Sequence, residues 1–218
     1  MTTKSKSTPH QKYTCRDGQT VPGVTTALNV LNKPALVPWA WGLGKAGIDL
    51  NAARQKALDT GTYAHYLVEC EIKGEKPDPE YTREFAPADV AKAETAFLAF
   101  LDWQKGSEAV LQWSEAQLVS EQYRYGGTLD IIGKVKGVTT LIDLKAANGI
   151  YLDYHYQVAA YEQLWNEAYP DNPIVDVLIL RLGKEDGGFE VKPVPKRELC
   201  FAVFLHCLGI YKLQKDLR

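Results

Sequence analysis

The sequence predicts an α/β fold in which one central β-sheet, built around an acidic hairpin, is clasped by helices. Three observations carry this expectation. Residues 126–145 hold two apolar, β-branched runs, 128–135 and 138–144, on either side of Lys136-Gly137. Around them the apolar period alternates between 2 and 3.6, in the order helix, helix, strand, hairpin, helix, strands, helix. The chain has 218 residues, 45% apolar and 24% charged, which suits one globular domain, or one with a helical annex.

The hairpin comes first. A two-residue turn with Gly in second place is a hairpin signal. It sets Val135 opposite Val138 and, by the same count, Asp130 opposite Asp143, with Lys145 on the face of Asp143. A three-residue turn would shift the register and remove the pairing. Opposed residues have Cβ atoms about 4.5–5.5 Å apart, where like charges repel. The isoleucine, leucine and valine around them add a desolvation cost. A cation between the carboxylates would explain both. All-oxygen ligands favour a hard ion such as Mg²⁺, and a lysine two residues beyond one ligand can reach a phosphate. The alternative is an exposed hairpin with solvated charges, which the apolar flanks argue against.

The rest follows in chain order. Residues 1–12, MTTKSKSTPHQK, are polar and lack an apolar leader core, so they are expected as a disordered tail before a single domain over 13–218. Residues 13–24 suggest a short hairpin around Asp17-Gly18. Thr25 or Thr26 is the expected cap of a short helix to Leu31, which Asn32-Lys33-Pro34 breaks. A long helix is expected from Pro38 to Leu58, weakened by its glycines. Trp39 and Trp41 suit helix packing in the core, or base stacking. Thr60 or Thr62 is the expected cap of the next helix, which opens at Gly61 and ends at Gly74. On it His65 and Glu69 share a face, as metal ligands or as packed residues. Residues 74–87 read as a loop, 88–104 as an amphipathic helix, and 109–125 as one or two strands, with Glu121 at the strand end.

After the hairpin, 146–149 form a loop and 152–169 a helix on which Gln157 and Tyr161 share a face. Residues 174–182 and 189–193 read as strands, and a C-terminal helix begins at Pro195. The helical N-terminal part is thus 25–105, the sheet core 108–193 and the last helix 195–217. Cys15, Cys70, Cys200 and Cys207 match no zinc-ligand spacing and are expected as buried thiols. No run is long and apolar enough for a membrane span, and a cytoplasmic location is expected. The net charge of −2 argues against a protein that coats DNA, though not against an enzyme with a local basic groove. Lys45, Arg54, Lys56, Lys184, Lys196 and Arg197 are candidates for such a groove, or plain surface.

Taken together, Gly61-Thr-Tyr-Ala-His65, Gly127-Thr-Leu-Asp130, Asp143-Leu-Lys145 and Gln157-Val-Ala-Ala-Tyr161 resemble, in that order, the four motifs of the PD-(D/E)XK nuclease superfamily. The resemblance is to its RecB-like exonuclease branch, which includes phage exonucleases and the mitochondrial genome-maintenance exonuclease. It covers roughly residues 13–182, and residues 24–41 also look like the start of phage members. It implies a restriction-endonuclease-like core with a central mixed sheet. It also implies that His65, Asp130, Asp143 and the Leu144 carbonyl hold Mg²⁺ or Mn²⁺, that Lys145 orients or helps deprotonate the attacking water, and that Gln157 and Tyr161 contact the DNA backbone or support the site. Beside a bound cation, Lys145 is expected to have a lowered pKa. Glu121 matches a less constant acidic position, and Glu69 has only its spacing. Leu129 stands where the superfamily name has proline. The late cysteines lack the spacing of an iron–sulfur cluster, and none is expected.

The function so implied is a metal-dependent DNA exonuclease of phage or bacterial recombination, repair or processing, acting on single- or double-stranded ends in a bacterial or phage-infected cell, with an annealing or recombination protein as a candidate partner. A structure- or site-specific endonuclease and a catalytically silent nucleic-acid-binding protein are the alternatives.

Overall fold

The structure, a computed structural model, describes residues 12–217. Most of the expected N-terminal tail lies outside the described residues. β1 (Tyr13–Thr14) and β2 (Thr20–Val21) form the small antiparallel hairpin expected around Asp17-Gly18. α1 (Val24–Leu28) starts from an extended Gly23 with no side-chain cap, so neither Thr25 nor Thr26 plays the expected role.

The next two helices differ from expectation in where they break. α2 (Leu36–Lys45) is short, and α3 (Leu50–Lys73) is a single helix of 24 residues. Gly47, at φ 68°, turns the chain between them. Asp49 caps α3 by accepting the Ala52 N–H at 2.8 Å. No break occurs at Gly61, and Thr60 is buried inside the helix. A helical glycine costs about 1 kcal/mol, whereas burying Leu67 and Val68 together with Tyr63 and Ala64 returns roughly 1.5–3 kcal/mol for each large side chain. Tertiary packing therefore outweighs local propensity. Gly74, left-handed at φ 67°, ends α3 as predicted. Within the expected loop, Asp78 caps a one-turn helix, α4 (Pro79–Thr82), before α5 (Pro87–Ser107).

The sheet has five strands: β3 (Ala109–Ser120), β4 (Tyr125–Val135), β5 (Val138–Lys145), β6 (Asp176–Leu182) and β7 (Phe189–Pro193), in that spatial order. α6 (Leu152–Ala168) connects β5 to β6, the one parallel pair; the others are antiparallel. α7 (Arg197–Asp216) closes the chain. The central turn is the predicted one. Lys136 and Gly137 both have positive φ, 50° and 81°, and Val135 pairs with Val138.

Helices cover both faces, the expected mixed α/β architecture. α1, α6 and α7 pack over Leu129, Ile132, Leu141, Val177 and Ile179. α3 and α5 pack over Ile131, Ile142, Leu144, Leu180 and Leu182. Only α2 stays outside this scheme among the helices of ten or more residues, for it buries no residue. Trp41 is 71% exposed and Trp39 38%, which overturns their core reading. The four cysteines are buried free thiols. No helix of the described residues is long and apolar enough to cross a membrane.

Candidate active site

The site lies at a fork in the sheet. The β4–β5 ladder runs from Val135↔Val138 to Ile131↔Ile142. The next step would pair Asp130 with Asp143, the predicted opposition. There the Asp130 carboxylate accepts the Leu144 N–H at 2.8 Å, so a side chain takes a donor of β5. On the other side, the β3–β4 ladder passes from Ser114↔Ile131 to Ala116↔Leu129, which leaves Glu115 across from Asp130. Glu115 is left-handed at φ 53°, a conformation that costs a non-glycine residue about 1–3 kcal/mol and tends to mark functional positions. Leu129 belongs to one helical layer and Ile131 to the other. The alternation of β4 therefore breaks at Asp130.

Helix α3 aims His65 at this fork. Its Nδ1 lies 3.6 Å from Asp130 Oδ1 and 3.8 Å from Glu115 Oε1. One ligand atom from each of His65, Glu115 and Asp130 falls within 4.8 Å of the others. Burial alone would favour neutral imidazole, but the Asp130 and Glu115 carboxylates outweigh it and raise the His65 pKa to about 9.

Asp143 is fully buried, and neither carboxylate oxygen has a hydrogen-bond partner. The Lys145 ammonium lies 2.6 Å from its Oδ2, an ion pair outside hydrogen-bonding angles. Burial raises the Asp143 pKa to about 6, against the lowering effect of Lys145. Burial disfavours the charge of Lys145, yet Asp143 and Asp130 prevail and raise its pKa. The ammonium also sits 5.0 Å from the centre of the Tyr154 ring, a cation–π contact.

The double glycine of β4 has a packing reason. A Cβ on Gly126 would come within 2.3 Å of the Tyr13 ring, and one on Gly127 within 2.6 Å of Tyr161 Cε1. Tyr13 in turn shares a hydrogen bond of 2.9 Å with Thr128. Gln157 Nε2 donates to the Tyr161 hydroxyl at 2.9 Å. Burial and the nearby Asp130 and Asp143 carboxylates raise the Tyr161 pKa well above its usual value. The phenol therefore stays protonated.

His65 and Asp130 thus come together, as do Asp143 with Lys145 and Gln157 with Tyr161. Leu144, the residue after Asp143, is buried, and its N–H is the one that Asp130 holds. Glu121 lies apart, accepting the Arg16 N–H at 2.8 Å and facing Arg124 at 3.5 Å. Glu69 pairs with Lys73 at 2.6 Å. Sequence reasoning missed Glu115 and Tyr154. Glu115 was within reach of the same register arithmetic, given a tight turn that pairs Ser120 with Tyr125. Tyr154 offered no signal beyond its place in the first turn of α6.

The residues fit a divalent cation. The donors within mutual reach are one imidazole and two carboxylates, a mainly oxygen set that Mg²⁺ or Mn²⁺ accepts. Among the described residues no hydrogen bond meets the buried Asp143 carboxylate, which has the Lys145 ammonium beside it. Three carboxylates stand against one lysine and one histidine, an excess of negative charge that a cation would offset.

No known family model matches the sequence, and no curated protein matches it. Among solved structures, the chain is similar to a candidate exonuclease from Eubacterium rectale, at 12% identity over 71% of this chain and 65% of that one, with a TM-score of 0.47. The chain thus spans just under two thirds of that protein's length. It is also similar to LHK-Exo, solved in complex with dAMP, at 12% identity over 74% of this chain and 86% of that one, with a TM-score of 0.43.

Proposed function

We propose that the chain is a Mg²⁺- or Mn²⁺-dependent deoxyribonuclease that hydrolyses phosphodiester bonds from DNA ends, an exonuclease of phage or bacterial recombination, repair or processing. The observation that carries this reading is the fork itself. It holds His65, Glu115 and Asp130 within mutual ligand reach, beside a buried Asp143 with no hydrogen-bond partner and a lysine at 2.6 Å. Such an arrangement disfavours folding unless a cation or a phosphate uses it.

His65, Glu115, Asp130, Asp143 and the Leu144 carbonyl are the groups that would hold the ion. A bound cation would polarise the phosphoryl oxygen and acidify a water. Lys145, kept charged by Asp143 and Asp130, presents its ammonium where charge builds on the phosphate and orients the attacking water. The Gln157–Tyr161 pair places a neutral donor beside the carboxylates, suited to a phosphate oxygen of the DNA backbone. Tyr161 is set against β4 by the absence of a side chain at Gly127.

The test is a digestion time course on end-labelled linear DNA and closed circular DNA, with Mg²⁺, Mn²⁺ or EDTA, beside the Asp143→Ala and Lys145→Ala proteins. Loss of the linear DNA alone, requiring metal and both residues, is the expected result. Nicking of the circle would replace the exonuclease with an endonuclease. Inertness towards both DNAs under every metal would overturn the reading.

A further inference from the structure

α2 is a helix with no buried residue, and its position makes this informative. The chain before it, α1, packs with α6 and α7 on one face of the sheet. The chain after it, α3, packs with α5 on the other. α2 must therefore cross between the faces. Its entry is pinned beside the fork: Lys33 pairs with Asp153 at 3.2 Å, and the next residue, Tyr154, carries the ring against Lys145. Its exit leads into the helix that bears His65.

The outward side of α2 has a pattern of its own. Within α2, Val37, Trp41 and Lys45 recur every four residues and so line one face. Val37 is 72% exposed and Trp41 71%. Trp39 lies off that line and is less exposed, near the half-buried Ala40 and Leu43. Between residues 32 and 58 the basic residues are Lys33, Lys45, Arg54 and Lys56, and the sole carboxylate, Asp49, is engaged as a helix cap. This stretch is basic in a chain whose net charge is −2.

We propose that α2 is a strap beside the mouth of the site, and that Trp41, one helical turn from Val37 and from Lys45, is a stacking platform for the bases of an unpaired nucleic-acid strand. An exposed aromatic one helical turn from a lysine suits that occupant. Every base offers a face to stack on, and the phosphates supply the charge that the lysines lack. Bases of an intact duplex have no free face, so the platform selects single strands or frayed ends. The proposal rests on the nuclease reading for its purpose, though not for its measurement.

The test is binding of a fluorescein-labelled single-stranded oligodeoxynucleotide and of its duplex, by anisotropy, in EDTA and again in Ca²⁺, with no cleavage step. Trp41→Ala is expected to weaken single-strand binding by about tenfold, as loss of one stacked base does, and to leave duplex binding unchanged. Trp41→Phe should restore most of the loss, and Trp39→Ala should have a smaller effect. Lys45→Gln should lower the salt dependence for both DNAs. Wild-type protein that does not bind the strand, or a Trp41→Ala protein that binds it as the wild type does, overturns the proposal. So does a Trp41→Ala protein that changes only its sedimentation, for then the face belongs to a second copy of the chain. Wild-type protein that needs Trp41 to bind but cleaves nothing sinks the nuclease reading and leaves the strap. Cleavage with binding indifferent to Trp41 does the reverse.

Discussion

Gly127→Ala puts the construction of the site under the simplest strain. The added Cβ would stand 2.6 Å from Tyr161 Cε1, 2.9 Å from its Cδ1 and 2.9 Å from Leu164 Cδ1, where carbon pairs prefer about 3.5–4.0 Å. One partner must therefore yield by close to 1 Å. β4 cannot back away, because Gly127 is paired with Leu118 in the ladder. Leu164 is fully buried and Tyr161 is 5% exposed, and the Tyr161 hydroxyl is tied to Gln157 at 2.9 Å. Overpacking of this kind costs about 1–3 kcal/mol, offset by the roughly 0.4–1 kcal/mol that alanine removes from the freedom of the unfolded chain. A net loss of about 1–2 kcal/mol is expected by urea unfolding in EDTA, together with reduced nuclease activity as the Tyr161 ring shifts. Gly61→Ala is the matched control. It sits in α3 with nothing within 4 Å of its Cβ, so the same change should stabilise by up to about 1 kcal/mol. A Gly127→Ala protein as stable as the wild type would refute the close-approach argument.

Three further outcomes follow from the charges at the fork. Burial raises the Asp143 pKa from 3.8 to about 6. The folded state then holds this proton more tightly than the unfolded chain does, and metal-free stability falls as pH rises through that window. Asp143→Asn should accordingly be more stable than the wild type at pH 7 in EDTA, lose that advantage below about pH 4, and hydrolyse nothing; lower stability at pH 7 would contradict the assignment. Asp130 and Glu115 raise the His65 pKa to about 9, so cation binding at neutral pH should expel its proton and tighten as pH rises. Calorimetry in buffers of different ionisation enthalpy reads that proton, and its absence would remove His65 from the ligand set. Glu115→Gln should weaken Mn²⁺ binding by about tenfold or more and move the His65 titration, followed by NMR, downward; unchanged binding would make Glu115 a bystander.

The hairpin was legible because a two-residue turn and a period of 2 leave no freedom once Gly137 is placed. Asp130, Asp143 and Lys145 followed from counting alone. Gln157 and Tyr161 were legible from helical spacing, although nothing in that spacing says that Tyr161 packs against a glycine. The continuity of α3 was hidden, since Gly61 reads locally as a break and only the burial of its neighbours overrides it. Glu115 was hidden for a different reason: its partner depends on the length of the β3–β4 turn, and the strand leaves regular geometry at that residue. Trp39 and Trp41 misled because large aromatics are usually buried, and sequence does not show which helix will be left without a layer to join.

The fork has one more consequence, which concerns the order in which the protein is made. Its side chains come from α3, β3, β4 and β5, and both helical layers are needed to hold them. β5 gains its second neighbour only with β6, a parallel strand that cannot pair until α6 has crossed over. A chain still leaving the ribosome therefore carries the acidic residues of the fork, Glu115, Asp130 and Asp143, well before it has a place to put an ion. Under the proposed function, the power to cut arrives only once α6 and β6 are in place, and a molecule made no further than β5 is harmless to the nucleic acid around it.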